Sequence, residues 1–287
     1  MVKRVVTGTV FTLALIIGTL LHGWTLRFLL LFSMTVSVFE LYHAFRSAGK
    51  QPVVWVGYVF CALTALAQLL LAAEGPNSSA GMNPMIMALI VCVTLAMIVV
   101  IVRGKIDFEG LVLTLFPMLY PGLFYVLILS MVEITPLFVS IVTLCLTFFV
   151  ASINDVFALL VGIRFGKHKL SPRISPKKSV EGAVAGLVSS VLFAIALPFL
   201  AELIAPLFPW IVCDRSALPP TWSFAILGLV SGALSQVGDL VASLVKRHCG
   251  IKDFGTLFPG HGGMMDRMDG VLLCGVACSI FYRMACL

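Results

Sequence analysis

Long apolar runs separated by short polar stretches dominate this chain of 287 residues. A helix needs roughly 20 apolar residues to cross the hydrocarbon core of a bilayer. Runs of that kind predict about nine spanning helices, near residues 5–21, 26–45, 53–73, 84–102, 111–132, 136–163, 180–206, 222–245 and 267–286. The alternation typical of membrane β-barrels does not occur, so helices are the remaining way to cross. The pattern therefore predicts an all-α, polytopic integral membrane protein.

Composition and charge support this prediction and give it an orientation. Charged residues make up 11% of the chain and apolar residues 60%, with a mean hydropathy of +1.10, whereas a soluble domain has about 25% charged residues. If the amino terminus is cytoplasmic and the spans alternate, 16 of the 19 lysines and arginines face inward, and Arg27, Arg215 and Arg283 face outward. This asymmetry follows the positive-inside rule. We therefore expect a cytoplasmic amino terminus and an outward-facing carboxyl terminus.

Charge and glycine gather in the second half of the chain. We accordingly divide it into amino-terminal transmembrane helices, residues 1–135, and a carboxyl-terminal transmembrane catalytic region, residues 136–287. One polar loop of this region, "RFGKHKLSPRISPKKSVEG", runs from Arg164 to Gly182. Its basic residues need no role beyond the positive-inside signal and attraction to anionic lipid, worth about 1 kcal/mol each. Two Ser-Pro pairs interrupt the run, however, and predict an ordered loop leading into a helix near Ser179, with Glu181 in its first turn.

Two acids lie inside predicted spans, where a carboxylate is costly and by default indicates function. Asp239 lies about two turns before the cytoplasmic end of the eighth span, roughly 10 Å deep at about 1.5 Å per residue. Asp155, next to Asn154, lies at a similar depth in the sixth span. Neither acid has a basic residue within one helical turn, so each should be neutral or bind a cation from elsewhere. A structural, hydrogen-bonded acid is the alternative for both.

A second polar loop, "SLVKRHCGIKDFGTLFPGHGGMMDRMDG", joins the eighth and ninth spans. Asp266 and Asp269 begin the ninth helix three residues apart, and therefore on one face. Their role there could simply be a favourable interaction of negative charge with the helix dipole. The preceding Pro-Gly-His-Gly-Gly turn suits backbone contact with a phosphate. Acids beside such a turn suit Mg²⁺ that is shared with substrate phosphates.

Basic residues complete this predicted site. Lys246 lies two turns beyond Asp239 on the same helix face, and Arg247 and Lys252 follow in the loop. Three acids and several basic side chains at the cytoplasmic ends of the eighth and ninth spans suit phosphoryl or nucleotidyl transfer. In such a reaction, cations neutralise the negative charge that develops on the phosphates. A nucleophilic triad fits worse, because His261 lies between glycines with no serine or cysteine placed for it.

At these residues the sequence resembles the phosphatidate cytidylyltransferase family, the CDP-diacylglycerol synthases. The family signature consists of a serine, Lys-Arg, Lys-Asp, Pro-Gly-His-Gly-Gly and Asp-Arg-x-Asp. It is matched by Ser243, Lys246, Arg247, Lys252, Asp253, Pro259, Gly260, His261, Gly262, Gly263, Asp266, Arg267 and Asp269. The resemblance extends over roughly residues 150–270. Val156, Phe157 and Leu159 depart from it, because smaller or hydroxyl side chains are expected after Asn154 and Asp155.

The resemblance implies a membrane enzyme of phospholipid synthesis that transfers CMP from CTP to phosphatidate and releases pyrophosphate. It implies Mg²⁺ as cofactor, a second cation such as K⁺, no nucleic acid, and a homodimer in the cytoplasmic (inner) membrane with the active site toward the cytoplasm. It assigns catalysis to Asp239, Lys246, Asp266 and Asp269, with the three aspartates as metal ligands. The candidate substrate-binding residues are Asn154, Asp155, Ser175, Lys177, Lys178, Arg247, Lys252, His261, Gly262, Gly263 and Arg267.

Other functions fit parts of the sequence. A CTP-dependent lipid-alcohol kinase would move the γ-phosphate and would need a base for its hydroxyl nucleophile. An ion-coupled transporter would also carry intramembrane acids, but transporters show paired interruptions in two related halves, and charge and glycine gather here in one half. A purely structural membrane protein would leave the glycine and acid cluster without a role.

Overall fold

Helices form most of the part of the chain that the structure describes. The computed structural model describes residues 2–74, 83–103, 107–258, 260 and 262–285. Its helices are α1 (Val2–Leu21), α2 (Gly23–Ser47), α3 (Val54–Glu74), α4 (Asn83–Val102), α5 (Phe108–Pro117), α6 (Phe124–Met131), α7 (Leu137–Phe165), α8 (Val180–Ile204), α9 (Thr221–His248) and α10 (Met265–Ala285). Two short strands, β1 (Lys169–Ser171) and β2 (Ser175–Ser179), lie between α7 and α8. The all-α class is confirmed.

Within the part of the chain that the structure describes, seven helical segments are long and apolar enough to cross a membrane. They are Gly23–Ser47, Val54–Ala72, Pro84–Val102, Phe108–Met131, Leu137–Phe165, Val180–Leu207 and Thr221–His248. These segments confirm a polytopic membrane protein. The described apolar part of α1, Val10–Leu21, is shorter, and α10 opens with charged residues in its first turns. The count of nine spans and the orientation stay predictions.

The fifth predicted span, residues 111–132, falls largely within the apolar segment Phe108–Met131, and the structure shows a kink inside that segment. α5 ends at Pro117 and α6 begins at Phe124, and between them Tyr120 has non-helical dihedral angles, φ −127° and ψ 108°. Pro117 and Pro121 explain the break, because proline lacks the N–H that continues a helical ladder and its ring clashes with the preceding turn.

The polar loop after α7 folds into an antiparallel ribbon. Lys169 pairs with Ser179, and Ser171 pairs with Ser175. β2 leads directly into α8, and the Ser179 hydroxyl oxygen caps that helix by accepting a hydrogen bond from the Gly182 N–H at 3.2 Å. Such a cap satisfies one of the N–H groups that a helix start leaves without an intrahelical partner. The predicted helix start near Ser179 is confirmed.

The chain forms two compact units. The first comprises Met1–Ala14, Leu21–Glu133 and Lys246–Arg267, and the second comprises Leu15–Leu20, Ile134–Val245 and Met268–Leu287. In the first unit, α2 packs against α3, α5 and α6. Its buried apolar face consists of Leu26, Leu30, Met34, Val38, Leu41 and Phe45, at the three- and four-residue spacing of one helix face. The predicted division at residue 135 stays a prediction.

In the second unit, glycines let α7 and α8 approach closely. A Cβ on Gly182 would meet the Ala158 carbonyl oxygen at 2.5 Å, and a Cβ on Gly186 would meet the Asn154 side chain at 2.6 Å. Small residues at such contacts are typical of helix packing in membranes, where dispersion and hydrogen bonds between helices replace the hydrophobic effect. This packing places Asn154 and its neighbours on α7 beside the ribbon and the start of α8.

Candidate active site

In the first unit, Asp266 is held by three hydrogen-bond donors. Its Oδ1 accepts from Lys246 Nζ at 2.7 Å, and its Oδ2 accepts from the Phe254 N–H at 2.8 Å and the Gly263 N–H at 2.9 Å. The residue is only 8% exposed, and Lys246 Nζ also lies 5.4 Å from the centre of the Phe254 ring. One carboxylate thus links the end of α9, the following loop and the start of α10, and two of the predicted catalytic residues, Lys246 and Asp266, lie in direct contact.

The glycine-rich turn lines a cavity in the same unit. The cavity has a volume of about 380 Å³ and is lined by Lys252, Asp253, Gly255, Thr256, Phe258, Gly260 and Gly262. Gly260 and Gly262 both have φ of +82°, a left-handed conformation that glycine adopts without steric cost. The structure therefore brings the predicted residues Lys252 and Gly262 together, whereas His261 lies outside the described residues.

Glu40 is a buried acid in this region that the sequence reasoning missed. Its carboxylate oxygens accept hydrogen bonds from the Met264 N–H at 3.0 Å and the Met265 N–H at 2.8 Å. The residue is 5% exposed. The rule that singled out Asp155 and Asp239, an acid inside an apolar span, applies equally to Glu40, which lies within the predicted span 26–45. The sequence therefore contained a signal that could have identified Glu40.

In the second unit, Asp239 forms an ion pair with Lys178. Both side chains are about three-quarters buried. They line a cavity of about 270 Å³ whose other predicted residues are Asn154, Asp155 and Lys177. Ser243 Oγ approaches Asp239 Oδ1 at 3.4 Å. Of the two expected outcomes for Asp239, a neutral acid or a cation partner, the structure shows the second, with the Lys178 ammonium as the partner.

Asn154 is fully buried, lines this cavity and joins three helices. Its Nδ2 donates to Ser190 Oγ and to the Gly232 carbonyl oxygen, both at 3.0 Å, and its Oδ1 accepts from Gln236 Nε2 at 3.1 Å. Gln236 also donates to the Ala183 carbonyl oxygen at 2.8 Å. These bonds give Asn154 a structural function in positioning α7, α8 and α9 around the cavity.

Asp269 lies on α10 in the second unit, where that helix contacts α9. A Cβ on Gly238 would collide with the backbone carbonyl oxygen of Asp269, and a Cβ on Gly270 would meet Ser235 Oγ at 2.7 Å. Asp269 is 8% exposed, and its Oδ1 accepts from the Gly270 N–H at 2.8 Å. The backbone of Asp269 is therefore next to the residue that precedes Asp239.

The remaining predicted residues, Ser175, Arg247 and Arg267, lie outside the two lysine–aspartate ion pairs. Ser175 begins β2 and is half-buried, outside the set that lines the 270 Å³ cavity. Arg247 is exposed in the last turn of α9. Arg267 is half-buried in the first turn of α10, and its buried Nε has no hydrogen-bond partner among the described residues.

The three predicted metal ligands are all carboxylates, and oxygen donors are the ligands that Mg²⁺ prefers. Among the residues that the structure describes, no three His, Cys, Asp or Glu side chains form a metal-binding group. Asp239 and Asp266 each hold a lysine ammonium, so each is placed to receive a positive charge. This donor chemistry fits a cation that takes most of its ligands from water and substrate phosphates. The ligand set itself stays a prediction.

Comparison with known proteins adds a family and several relatives. A model described as the cytidylyltransferase family matches residues 2–285. A phosphatidate cytidylyltransferase from Mycobacterium bovis is 43% identical over 125 residues, which cover 43% of this chain and 36% of that protein. Similar proteins of the same name occur in Staphylococcus saprophyticus, 34% identical over 125 residues (44% of this chain, 43% of that protein), and in Brucella abortus, 42% identical over 71 residues (25% and 26%). The chain aligns with less than half the length of each of these relatives.

Proposed function

We propose a membrane-embedded cytidylyl transfer for this chain, which belongs to the cytidylyltransferase family. The proposed substrates are CTP and phosphatidate, and the products are CDP-diacylglycerol and pyrophosphate. The names of the relatives and the seven apolar helical segments among the described residues support a lipid phosphate as acceptor. The proposal includes a location in the cytoplasmic membrane, an active site facing the cytoplasm, and a homodimer.

The observation that carries the proposal is the pairing of lysines with aspartates in both units. Lys246 pairs with Asp266 at 2.7 Å, and Lys178 pairs with Asp239. A nucleotidyltransferase needs cationic side chains for phosphates and carboxylates for a divalent cation, and each pair supplies one of each. Both pairs are mostly buried, where charge is costly unless it is compensated. The desolvation of two charged side chains opposes folding, so structure alone is a weak explanation for these pairs and a chemical role is favoured.

The proposed reaction requires positioning and charge neutralisation rather than a general base. A phosphate oxygen of phosphatidate attacks the α-phosphorus of CTP, the bond from that phosphorus to the bridging oxygen breaks, and pyrophosphate leaves with the electron pair. The nucleophile is already an anion, so the protein has to bring two anions together and stabilise the charge on the leaving group. We assign this to Lys178 in one unit and to Lys246, Arg247 and Lys252 in the other.

Asp239, Asp266 and Asp269 would hold the Mg²⁺, with a second cation such as K⁺ in the same proposal. A divalent cation bound there supplies additional charge neutralisation for the phosphates. Lys177 and Ser175 on β2, together with Gly262, Gly263, His261 and Arg267, are the proposed contacts to nucleotide or lipid headgroup. Asn154 and Asp155 contribute to the wall of the cavity that holds Lys178.

Radioactive CTP distinguishes this reaction from the lipid-alcohol kinase alternative. Purified protein is incubated in phosphatidate-containing micelles with CTP labelled at either the α- or the γ-phosphate, and the lipid fraction is counted. Cytidylyl transfer leaves α-label in the lipid and releases γ-label as pyrophosphate. Incorporation of γ-label into an added polyprenol would instead establish a kinase. Addition of a chelator, followed by restoration of Mg²⁺, tests the metal requirement in the same assay.

A further inference from the structure

The carboxylate of Glu40 caps the start of a helix that lies far away in the sequence. Glu40 lies on α2, and its two oxygens accept from the consecutive N–H groups of Met264 and Met265, at 3.0 and 2.8 Å. The first N–H groups of a helix have no intrahelical acceptor, and the helix dipole favours a negative charge at this end. No ion pair of Glu40 with a basic side chain occurs among the described residues. Both oxygens of the Glu40 carboxylate are therefore occupied by backbone N–H groups at the start of α10.

The loop is shaped to admit this carboxylate. A Cβ on Gly255 or on Gly263 would collide with the Glu40 carboxylate. Glycine at both positions lets the backbone surround the side chain. Two positions of the loop, Gly255 and Gly263, therefore close around one acid of the amino-terminal half.

Glu40 and Asp266 divide the N–H groups at the start of α10 between them. Asp266 Oδ2 accepts from the Gly263 N–H at 2.9 Å, and Glu40 accepts from the next two residues. The direction of the Asp266 side chain depends on the backbone that Glu40 holds, because Gly263 immediately precedes Met264. A shift of this backbone would move Asp266 and the glycine turn together.

We infer that Glu40 is a positioning residue, which fixes the start of α10 and thereby orients Asp266 and the glycine turn toward the substrate phosphates. The role rests on the proposed cytidylyl transfer for its effect on turnover, but the structural effect is independent of that activity. Direct metal binding by Glu40 fits the geometry less well, because both of its oxygens already accept backbone hydrogen bonds. The same two backbone hydrogen bonds argue against Glu40 as a general base.

The test compares Glu40→Gln and Glu40→Asp with the matched control Glu133→Gln in the full-length protein. Glu133 is also a partly buried carboxylate of the first unit, but it pairs with Arg27 at 2.8 Å. Glutamine offers one acceptor oxygen, so Glu40→Gln should lose one of the two backbone bonds and the negative charge. Hydrogen exchange by mass spectrometry follows the peptide that covers residues 259–268, and steady-state kinetics follow kcat and KM for CTP.

We expect Glu40→Gln to speed exchange in that peptide by about 10-fold or more and to lower kcat by about 10- to 100-fold. Glu40→Asp should recover part of both effects, and Glu133→Gln should change neither by more than about twofold while lowering thermal stability.

An exchange rate in Glu40→Gln equal to that of the wild-type protein, or a loss of kcat without faster exchange, would overturn the positioning role. If Glu40→Gln does not insert into the membrane, Glu40→Asp gives the same reading. Failure of wild-type protein to form CDP-lipid would overturn the proposed function and leave the exchange result to decide the role of Glu40.

Discussion

Two of the aspartates predicted as metal ligands have very different surroundings. Asp266 is 8% exposed and accepts from one ammonium and two backbone N–H groups. Asp239 is less buried and has one strong partner, Lys178. Hydrogen bonds to ionised groups are about twice as strong as neutral ones, so Asp266 is held in a fixed orientation and Asp239 is the freer of the two. Substitution of Asp266 should therefore affect both the charge and the local structure of the site.

Replacement of Asp266 by asparagine should abolish CDP-lipid formation, with a loss of at least about 100-fold in kcat. The asparagine oxygen can still accept from the Phe254 and Gly263 N–H groups, but the amide NH₂ would then face the Lys246 ammonium and the negative charge would be lost. Asp269→Asn should lose activity to a similar extent, because the same face of α10 loses a carboxylate. The measurement is α-labelled CMP transfer by purified protein of verified membrane insertion.

The control for these variants is Asp214→Asn. Asp214 is an exposed acid whose side chain accepts from the Ser216 N–H at 3.0 Å, in the loop between α8 and α9. Removal of that charge should leave CMP transfer within about twofold of the unmodified protein, as expected for a surface substitution. Turnover close to normal in Asp266→Asn or Asp269→Asn would contradict the assignment of these acids to the metal.

At the level of helices, α9 carries the close contacts that set the position of the acids in the second unit. Gly238 lies against the backbone of Asp269, and Ser235 lies against Gly270. Gly232, one turn earlier, offers its carbonyl oxygen to Asn154. Small residues at a spacing of three or four along one helix let neighbouring backbones approach. The residues next to Asp239 thus control how closely α10 can pack.

Replacement of Gly238 by alanine should separate α9 from α10 in the second unit. The added methyl group would collide with the Asp269 carbonyl oxygen, and overpacking of this kind costs about 1–3 kcal/mol. We expect a lower midpoint of thermal unfolding in detergent and a fall in kcat of about tenfold or more, since a displacement of about 1 Å in an active site can cost about 100-fold. Ala233→Val, which adds more volume on an exposed part of the same helix, should change neither quantity by a comparable amount. Equal effects of the two variants would contradict a specific contact at Gly238.

Local and long-range features of these helices differ in how far the sequence predicts them. Span positions follow from apolar runs, and the helix start near Ser179 follows from its own side chain, so both are readable from neighbouring residues. The break at Tyr120 could also have been predicted, because Pro117 and Pro121 lie on either side of it. It was missed because the span was assigned from its continuous apolar run. The contact from Glu40 to Met264 joins residues 224 positions apart. No local pattern specifies such a contact, although the presence of an acid in a span marks Glu40 as functional.

For the whole molecule, the distribution of charge carries the prediction of orientation. The basic residues divide 16 to 3 between the two sides under the nine-span arrangement, and a wrong span count would mix them. The loop between α8 and α9 falls on the outer side in that arrangement, and the ribbon of β1 and β2 falls on the inner side. Cys213 lies in the first of these loops and is the exposed member of the seven cysteines that the structure describes. Its thiol is therefore a natural reporter of sidedness.

A membrane-impermeant maleimide should label Cys213 in right-side-out vesicles of a Cys286→Ser variant. A second variant, Pro172→Cys with Cys213→Ser and Cys286→Ser, places the thiol between β1 and β2 and should react only in inside-out vesicles. Desolvation, followed by the carboxylates of Glu202 and Asp214, raises the pKa of the Cys213 thiol. The thiolate is the reactive form, so labelling should accelerate with rising pH, by about tenfold per unit below the pKa. The reverse pattern of accessibility would invert the orientation and place the ribbon, with Lys177 and Lys178, on the side away from CTP.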